Sequence, residues 1–342
     1  MKAARIEAFG GPDKILYGDL PDPEPGKGEV LIRVKACALN HLDLWVRGGL
    51  PAYKISLPHV LGNDIVGELI ATGPETTAPS TGTRVVVSPG VSCWECAACK
   101  SGSDHLCRTY RILGADAGWG GYAELVKVPA RNVLSAPSSL TDEQAAALPL
   151  TFLTAYHMLK GLAGLQAGQT VLVIGSGSGV GVAAILIAKM LGARVIAAST
   201  SENKLDKARE LGADEVLLGP SENLARKVRR LSKGGVDVVF EHVGGTIFEQ
   251  ALSCLRPGGA IVTCGATAGA DVALDLRRVF FKELRLLGAK MGPFAEFKEL
   301  VEYVDAGKLT PIVDRSFPLA EARAAHEHLA ARKQFGKVIL RP

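Results

Sequence analysis

The sequence predicts an α/β protein in which a doubly wound, six-stranded parallel sheet is joined to a mostly antiparallel β domain. Three observations carry this reading. Past Thr170, short apolar runs alternate with helical stretches; before Pro149, β-type runs are separated by Pro and Gly clusters; and a glycine-dense loop joins the first apolar run to an amphipathic stretch.

The expected strands of the parallel sheet are Val171–Ile174, Val195–Ala198, Glu215–Leu218, Val236–Phe240, Ala260–Cys264 and Leu284–Gly288. They show little polar alternation, which implies strands covered on both faces by helices. After the first of them, Ala183, Ala184, Ile187, Ala188 and Leu191 recur at helical spacing with Lys189 on the outer side, and Gly192 and Gly212 stand where helices should stop. This domain is expected over residues 151–290. Residues 1–150 hold runs such as Val30–Val34 and Arg84–Val87 and breaks such as Pro21–Gly28, and form the antiparallel domain. Past Met291, one further helix and a final strand, Lys337–Leu340, are expected to return to it, so that it comprises 1–150 and 291–342.

A chain of 342 residues with 47% hydrophobic content can bury two cores. Its 39 basic and 35 acidic residues are scattered without a block of like charge, so nucleic-acid binding is not expected. Met1–Gly10 lacks the uninterrupted apolar stretch of a secretion signal, and glycines, serines, Lys189 and Arg194 break the apolar region Val171–Ala198. Neither secretion nor a membrane span is expected. Four of the seven cysteines fall within fifteen residues, which fits a reducing, cytoplasmic setting in which thiolates hold metal.

Those four are Cys93, Cys96, Cys99 and Cys107, in a lobe at about residues 90–110 that is too short and polar to bury four thiols in a core. One tetrahedral zinc would satisfy them and close its own coordination shell, giving a structural site rather than a catalytic one. Cys37, Cys254 and Cys264 stand alone in apolar surroundings and read as small core residues.

Directly after the first parallel strand comes Gly175-Ser176-Gly177-Ser178-Gly179-Val180-Gly181, then the amphipathic stretch. Strand, glycine loop and helix in that order make a Rossmann-type cradle: the glycines turn tightly and let backbone N–H groups approach a pyrophosphate at the positive end of the helix. The spacing is one residue longer than the strict motif, so the context carries the assignment. After the second strand an NAD-preferring site places a carboxylate for the ribose 2′-OH; here Ser199-Thr200-Ser201 is followed by Lys204, which suits a 2′-phosphate. NADP(H) is therefore expected in preference to NAD(H), with Glu202 opposing and a helix-capping role for Thr200 or Ser201 as the plainer alternative.

Both features on one chain resemble the medium-chain dehydrogenase/reductase superfamily, the zinc-type alcohol dehydrogenases and quinone oxidoreductases. The resemblance also rests on Gly28-Glu29-Val30, Gly62-Asn63-Asp64-Ile65-Val66-Gly67 with Gly73, Gly121-Tyr122-Ala123-Glu124 and Gly336-Lys337-Val338-Ile339-Leu340. It implies a GroES-like fold for the antiparallel domain and carries over the structural zinc cysteine by cysteine. It does not carry over the catalytic zinc. The run that would hold a zinc-binding cysteine and a proton-relay hydroxyl is Asn40-His41-Leu42-Asp43; the histidine of the next motif is Asn63, with Asp64 beside it; and the third ligand aligns with Leu150. Amides and a leucine do not replace thiolate and imidazole as ligands. The quinone-oxidoreductase branch lacks that metal too.

The resemblance therefore implies hydride transfer from a nicotinamide to a quinone, enone or related carbonyl. Asn40 and Asn63 are the candidates for amide donors to the substrate oxygen, and His41, oriented by Asp43, or Tyr53 for a proton, with packing the plainer role for Tyr53. Cofactor contacts are expected from Gly175, Gly177, Gly179, Val180, Gly181, Ser199, Thr200 and Lys204, with Thr154 beside the nicotinamide, Val243 and Gly265 at strand ends, and Lys337 toward the phosphates. Partners are a small-molecule substrate and a second copy, as a homodimer or homotetramer joined through Leu284–Gly288. Two rival readings stand: an alcohol dehydrogenase with a metal site rebuilt from His41, His59, Asp43 or Asp64, and a protein that binds NADPH without turnover.

Overall fold

The computed structural model describes residues 1–219 and 223–342. They divide into one unit of Met1–Leu150 with Pro293–Pro342 and another of Thr151–Gly292.

In the first unit β1 (Lys2–Ile6) pairs antiparallel with β2 (Ile15–Asp19). β3 (Glu29–Ala38) is the spine of the larger sheet: Val30, Ile32 and Val34 are buried at alternate positions, as a strand with one face on a core requires. Asn40 then precedes α1 (His41–Arg47) as its N-cap. β4 (His59–Val60) joins β1, and β5 (Asp64–Thr72) runs antiparallel to β3 with Asp64 opposite Ala38. β6 (Arg84–Val87) extends that sheet. β7 (Gly90–Val91) and β8 (Arg111–Ile112) pair across a loop carrying α2 (Ala97–Lys100). β9 (Leu125–Pro129) returns to β3 and β10 (Val133–Ser135) to β6. α3 (Asp142–Ala146), opened by a Thr141–Gln144 capping box, follows, and α4 (Pro149–Tyr156) carries the chain into the second unit from Thr151.

The second unit alternates strand and helix: β11 (Thr170–Ile174), α5 (Gly179–Met190), β12 (Arg194–Ser199), α6 (Glu202–Glu210), β13 (Glu215–Leu218), α7 (Leu224–Leu231), β14 (Val236–Glu241), α8 (Gly245–Cys254), β15 (Leu255–Thr263), α9 (Leu276–Phe281) and β16 (Arg285–Gly288). All its strand pairs are parallel, in the order β13-β12-β11-β14-β15-β16. This is the doubly wound Rossmann sheet. The winding reverses between β11 and β14, so the loops after these two strands diverge and leave a crevice at their C-terminal ends, where such sheets bind ligands. One face is closed by a core of Leu172, Ile174, Ile196, Val239, Ile261 and Phe248 among others. β15 begins earlier than expected, because Leu255 pairs with Val236 before a bulge and pairing resumes at Ala260.

Past Pro293, α10 (Phe294–Asp305), β17 (Val313–Pro318), α11 (Ala322–Ala330) and β18 (Lys337–Arg341) rejoin the first unit, whose sheet runs β10-β6-β5-β3-β18-β17. This is a helix and a strand more than predicted. β17 is an edge strand, with Val313 and Phe317 as its large apolar residues, and it pairs parallel to β18. An edge strand needs little apolar surface, which is why no hydrophobic run announces it. Among the described residues no helix is long and apolar enough to cross a membrane.

Candidate active site and zinc lobe

Four thiolates about 2.3 Å from one zinc ion lie about 3.8 Å from each other if the site is tetrahedral. The Sγ separations are 3.5 Å for Cys96–Cys99, 3.5 Å for Cys93–Cys107 and 3.9 Å for Cys93–Cys99, and all four sulfurs lie within 4.8 Å of one another. Backbone N–H groups favour the thiolate form at Cys93 and Cys107, while burial pushes Cys99 up to about 12. Cys93 Sγ accepts from Glu95 and Cys96, which holds it below the usual thiol range, and the N–H of Cys93 with the Thr109 hydroxyl draws Cys107 down to about 6. The donor set and spacing fit a structural zinc. The lobe is also tied to α10: the Asp104 carboxylate accepts from Phe294 N at 3.0 Å, and Trp94 meets the Phe294 ring edge-on at 5.6 Å.

The glycine loop is built for close approach. A Cβ on Gly181 would fall 2.4 Å from the Gly175 carbonyl oxygen, so glycine is required for α5 to start against the end of β11. Ser178 caps that helix, its Oγ accepting from Gly181 N at 3.0 Å, and His242 Nε2 lies 3.1 Å from the same oxygen. A Cβ on Gly177 would lie 2.5 Å from Lys204 Cδ, so the lysine stem rests over the loop. Ser199 is buried at the end of β12 and Thr200 is exposed beside it. Ser176 Oγ is buried with no hydrogen-bond partner. A hydroxyl shut from water and unpaired is costly, and a phosphate oxygen would relieve it; the loop therefore fits a dinucleotide.

A carboxylate that the sequence did not reveal shapes the neighbouring loop. Glu241 Oε1 accepts from Val243 N at 2.5 Å and Gly244 N at 2.8 Å, while Oε2 accepts from the Thr263 hydroxyl at 3.2 Å. This pins Val243 at the end of β14. Gly265 follows the adjacent strand, with room for no more than a hydrogen against the His242 carbonyl. Thr154 is buried on α4.

In the first unit Asn40, Asp43, Asn63 and Asp64 converge because the ends of β3, β5 and β18 are in register: Ala38 lies opposite both Asp64 and Ile339. Asn40 Nδ2 donates to Asn63 Oδ1 at 3.1 Å and Asp64 Oδ2 at 2.8 Å. Asn63 Nδ2 donates to the Leu113 carbonyl at 3.0 Å, and Leu150 N donates to Asp64 Oδ1 at 2.8 Å. Lys337 enters this cluster rather than extending toward phosphates: its Nζ donates to Asn40 Oδ1 at 2.5 Å and Asp64 Oδ2 at 2.8 Å. A buried ammonium needs a counter-charge, and Asp64 supplies it.

Two expectations change. The amide donors of Asn40 face inward to protein acceptors, so they hold the cluster instead of presenting to a substrate. Asp43 does not orient His41; its carboxylate accepts from Asn40 N at 2.7 Å and Gly62 N at 3.2 Å. Burial pushes Asp43 up to about 7, with Asp64 adding to the rise and the Asn40 N–H and Lys337 opposing it. His41 is half-buried, edge-on to Trp45 at 5.0 Å. Tyr53 is half-buried and its phenol is pushed up by burial. His59 is buried with Nε2 3.1 Å from the Gly114 carbonyl oxygen. Among the described residues His41, His59, Asp43 and Asp64 do not form a converging ligand set; only the four cysteines do. Cys37 and Cys254 are core residues, and burial lifts Cys254 and Cys264 to about 12.

A Rossmann unit with a phosphate cradle, on the same chain as a GroES-like unit with a four-cysteine lobe, defines a dinucleotide-dependent dehydrogenase. Residues 179–306 match the family model described as zinc-binding dehydrogenase, and residues 26–138 match the alcohol dehydrogenase GroES-like domain. The chain is 32% identical to an NAD-dependent alcohol dehydrogenase of Sulfurisphaera tokodaii over the whole of both chains. It is 32% identical to a quinone oxidoreductase of Pseudomonas aeruginosa, covering 100% of this chain and 99% of that one. A crystal structure of an NAD-dependent alcohol dehydrogenase superposes with a TM-score of 0.96 at 44% identity over all of both chains. The chain belongs to the medium-chain dehydrogenase/reductase superfamily and is an NAD(P)-dependent oxidoreductase.

Proposed function

We propose that the enzyme is an NADP(H)-dependent reductase that delivers hydride to a quinone, enone or related carbonyl without a catalytic metal. The observation that carries this is the Lys337 ammonium, 2.5 Å from Asn40 and 2.8 Å from Asp64. At the positions where the family resemblance would seat zinc ligands there are two amides and a leucine, and the neighbouring acceptors already share a fixed cation. A divalent ion brought there would meet like charge and no thiolate or imidazole.

The cofactor preference rests on Ser199, Thr200 and Lys204: hydroxyls and not a carboxylate stand at the end of β12, with Glu202 three residues further on, and Lys204 lies over the glycine loop. The backbone of Gly179, Val180 and Gly181 with Ser176 would hold the pyrophosphate, and Thr154, Val243 and Gly265 the nicotinamide end. When bound, the dihydronicotinamide supplies the hydride. Of the four catalytic candidates, Asn40, Asp43 and Asn63 are buried while His41 is half-exposed, so His41 is assigned the proton delivered to the substrate oxygen. Two of the others hold the helix that carries it: Asp43 accepts from Asn40 N at the first turn of α1, and Asn40 ties that turn to Lys337. The exposed edge strand β16, preceded by exposed Leu276, Phe280 and Phe281, supports self-association as a homodimer or homotetramer. Four thiols kept for metal suit a cytoplasmic enzyme.

Steady-state assays with NADPH and NADH against quinones, enones, aldehydes and alcohols test the reading. NADPH consumption with quinones or enones, at a kcat/KM at least ten times that with NADH, is the expected result. Alcohol oxidation that tracks a second bound zinc would refute it, and tight NADPH binding with no turnover on any acceptor would leave a binding protein.

A further inference from the structure

α8 runs from Gly245, at the loop after β14, to Cys254 at the opposite end of the sheet, a span of about 15 Å for ten residues. Three cations gather at its C-terminal end. Arg229 of α7 donates to the Ser253 carbonyl at 2.8 Å, Arg278 of α9 donates to Ser253 Oγ at 3.0 Å, and Lys282 Nζ donates to the Leu255 carbonyl at 2.9 Å.

Capping alone does not account for three of them. A helix end presents about half a negative charge, whereas these side chains bring three full positive ones. Among the described residues none of the three is ion-paired with a carboxylate, and two acids near them in sequence are engaged elsewhere: Asp237 pairs with Arg256 and Asp275 with Arg277. Lys282 registers the excess, its pKa lowered by burial and then by Arg229 and Arg278. Arg226, Lys227, Arg230 and Lys233, all exposed on or just after α7, add to the positive field.

We propose that Arg229, Arg278 and Lys282 form a binding site for a phosphoryl group, separate from the cofactor loop. Arg229 and Arg278 are exposed, and of five N–H donors each directs one at a backbone carbonyl or a hydroxyl, leaving two guanidinium groups and an ammonium to receive one anion. A dianionic phosphoryl group matches that donor set in charge and in bidentate geometry better than a single carboxylate does. The group can come from free phosphate or from a phosphate monoester, which share this head.

The test uses the whole enzyme saturated with its nicotinamide cofactor, so that the glycine loop is filled. Inorganic phosphate and, separately, glycerol phosphate are titrated by calorimetry at constant ionic strength. One phosphoryl group per chain is expected, bound at least tenfold more weakly by Arg278→Gln and by Lys282→Gln, and unchanged in Arg323→Gln, a surface arginine of the first unit. Equal affinity for the two probes assigns the free anion, and a preference for glycerol phosphate assigns the monoester. Absence of saturable binding to the unaltered enzyme, or affinity unchanged in both α9-side variants while they retain normal turnover, would overturn the proposal.

Discussion

The ammonium of Lys337 lies 2.8 Å from the carboxylate of Asp64, with 3% and 0% of the two side chains exposed. Removing one member of such a pair leaves the other charged and unsolvated, at a cost of about 3–5 kcal/mol, whereas removing both together costs less. Lys337→Met and Asp64→Asn should each lower the urea midpoint strongly, and the double variant should be more stable than the sum of the singles allows. Strict additivity would mean the two groups do not depend on each other.

Lys204→Ala should raise KM for NADPH about tenfold, the worth of one charge-assisted hydrogen bond, and leave KM for NADH nearly unchanged. Parallel changes with both cofactors would show that the lysine only supports the loop.

Asp43 is held near 7 in the folded protein against 3.8 as its ordinary value. The folded state therefore keeps a proton that the unfolded chain releases between about pH 4 and 7, and the contribution of Asp43 to stability falls as pH rises through that window. Melting temperatures of Asp43→Asn and the unaltered protein, compared from pH 4 to 8, should show the difference between them shifting in favour of the asparagine variant as pH rises. A constant difference would remove Asp43 as the titrating group.

His326 acts in the opposite sense. Arg47 NH1 lies 2.9 Å from its Nδ1, and an arginine only donates, so Nε2 carries the ring proton. Burial, with Arg47 adding, lowers His326 to about 3. The unfolded chain binds a proton below about pH 6.5 that the folded one refuses, so stability is lost as pH falls from there toward 3. His326→Gln should flatten that part of the acid-unfolding curve; an unaltered slope would assign the acid sensitivity elsewhere.

Metal analysis should return one zinc per chain, and a chelator should release it with a fall in melting temperature and a change in Trp94 emission, because Trp94 packs on Phe294 beside the lobe. Cys107→Ser should bind zinc more weakly and melt lower. Full stability after zinc loss would deny the lobe a structural role.

What could be read from the sequence was what is local along the chain. The cysteine ligands lie within fifteen residues, and the glycine loop sits between one strand and one helix, so spacing alone brings their parts together. The six Rossmann strands were legible because burial on both faces leaves continuous apolar runs. The Lys337–Asp64 pair was not, since its members are 273 residues apart and meet only through the β3, β5 and β18 register. Glu241 carries no signal in the sequence, because its role depends on two N–H groups that turn back onto it. β17 and the inward direction of the Asn40 amide were likewise set by packing, for which one strand of sequence holds no signal.

The sheet that contains Asp64 is completed by β18, and the whole of residues 151–292 lies between the two in the chain. A ribosome making this protein therefore finishes the Rossmann unit first, as a continuous segment able to close around its own core. Meanwhile the nascent GroES-like unit waits with an open strand edge and an unneutralised carboxylate until Lys337 has been translated. A nonsense mutation between Gly292 and Lys337 would yield a chain whose cofactor unit is intact and whose other half cannot be assembled.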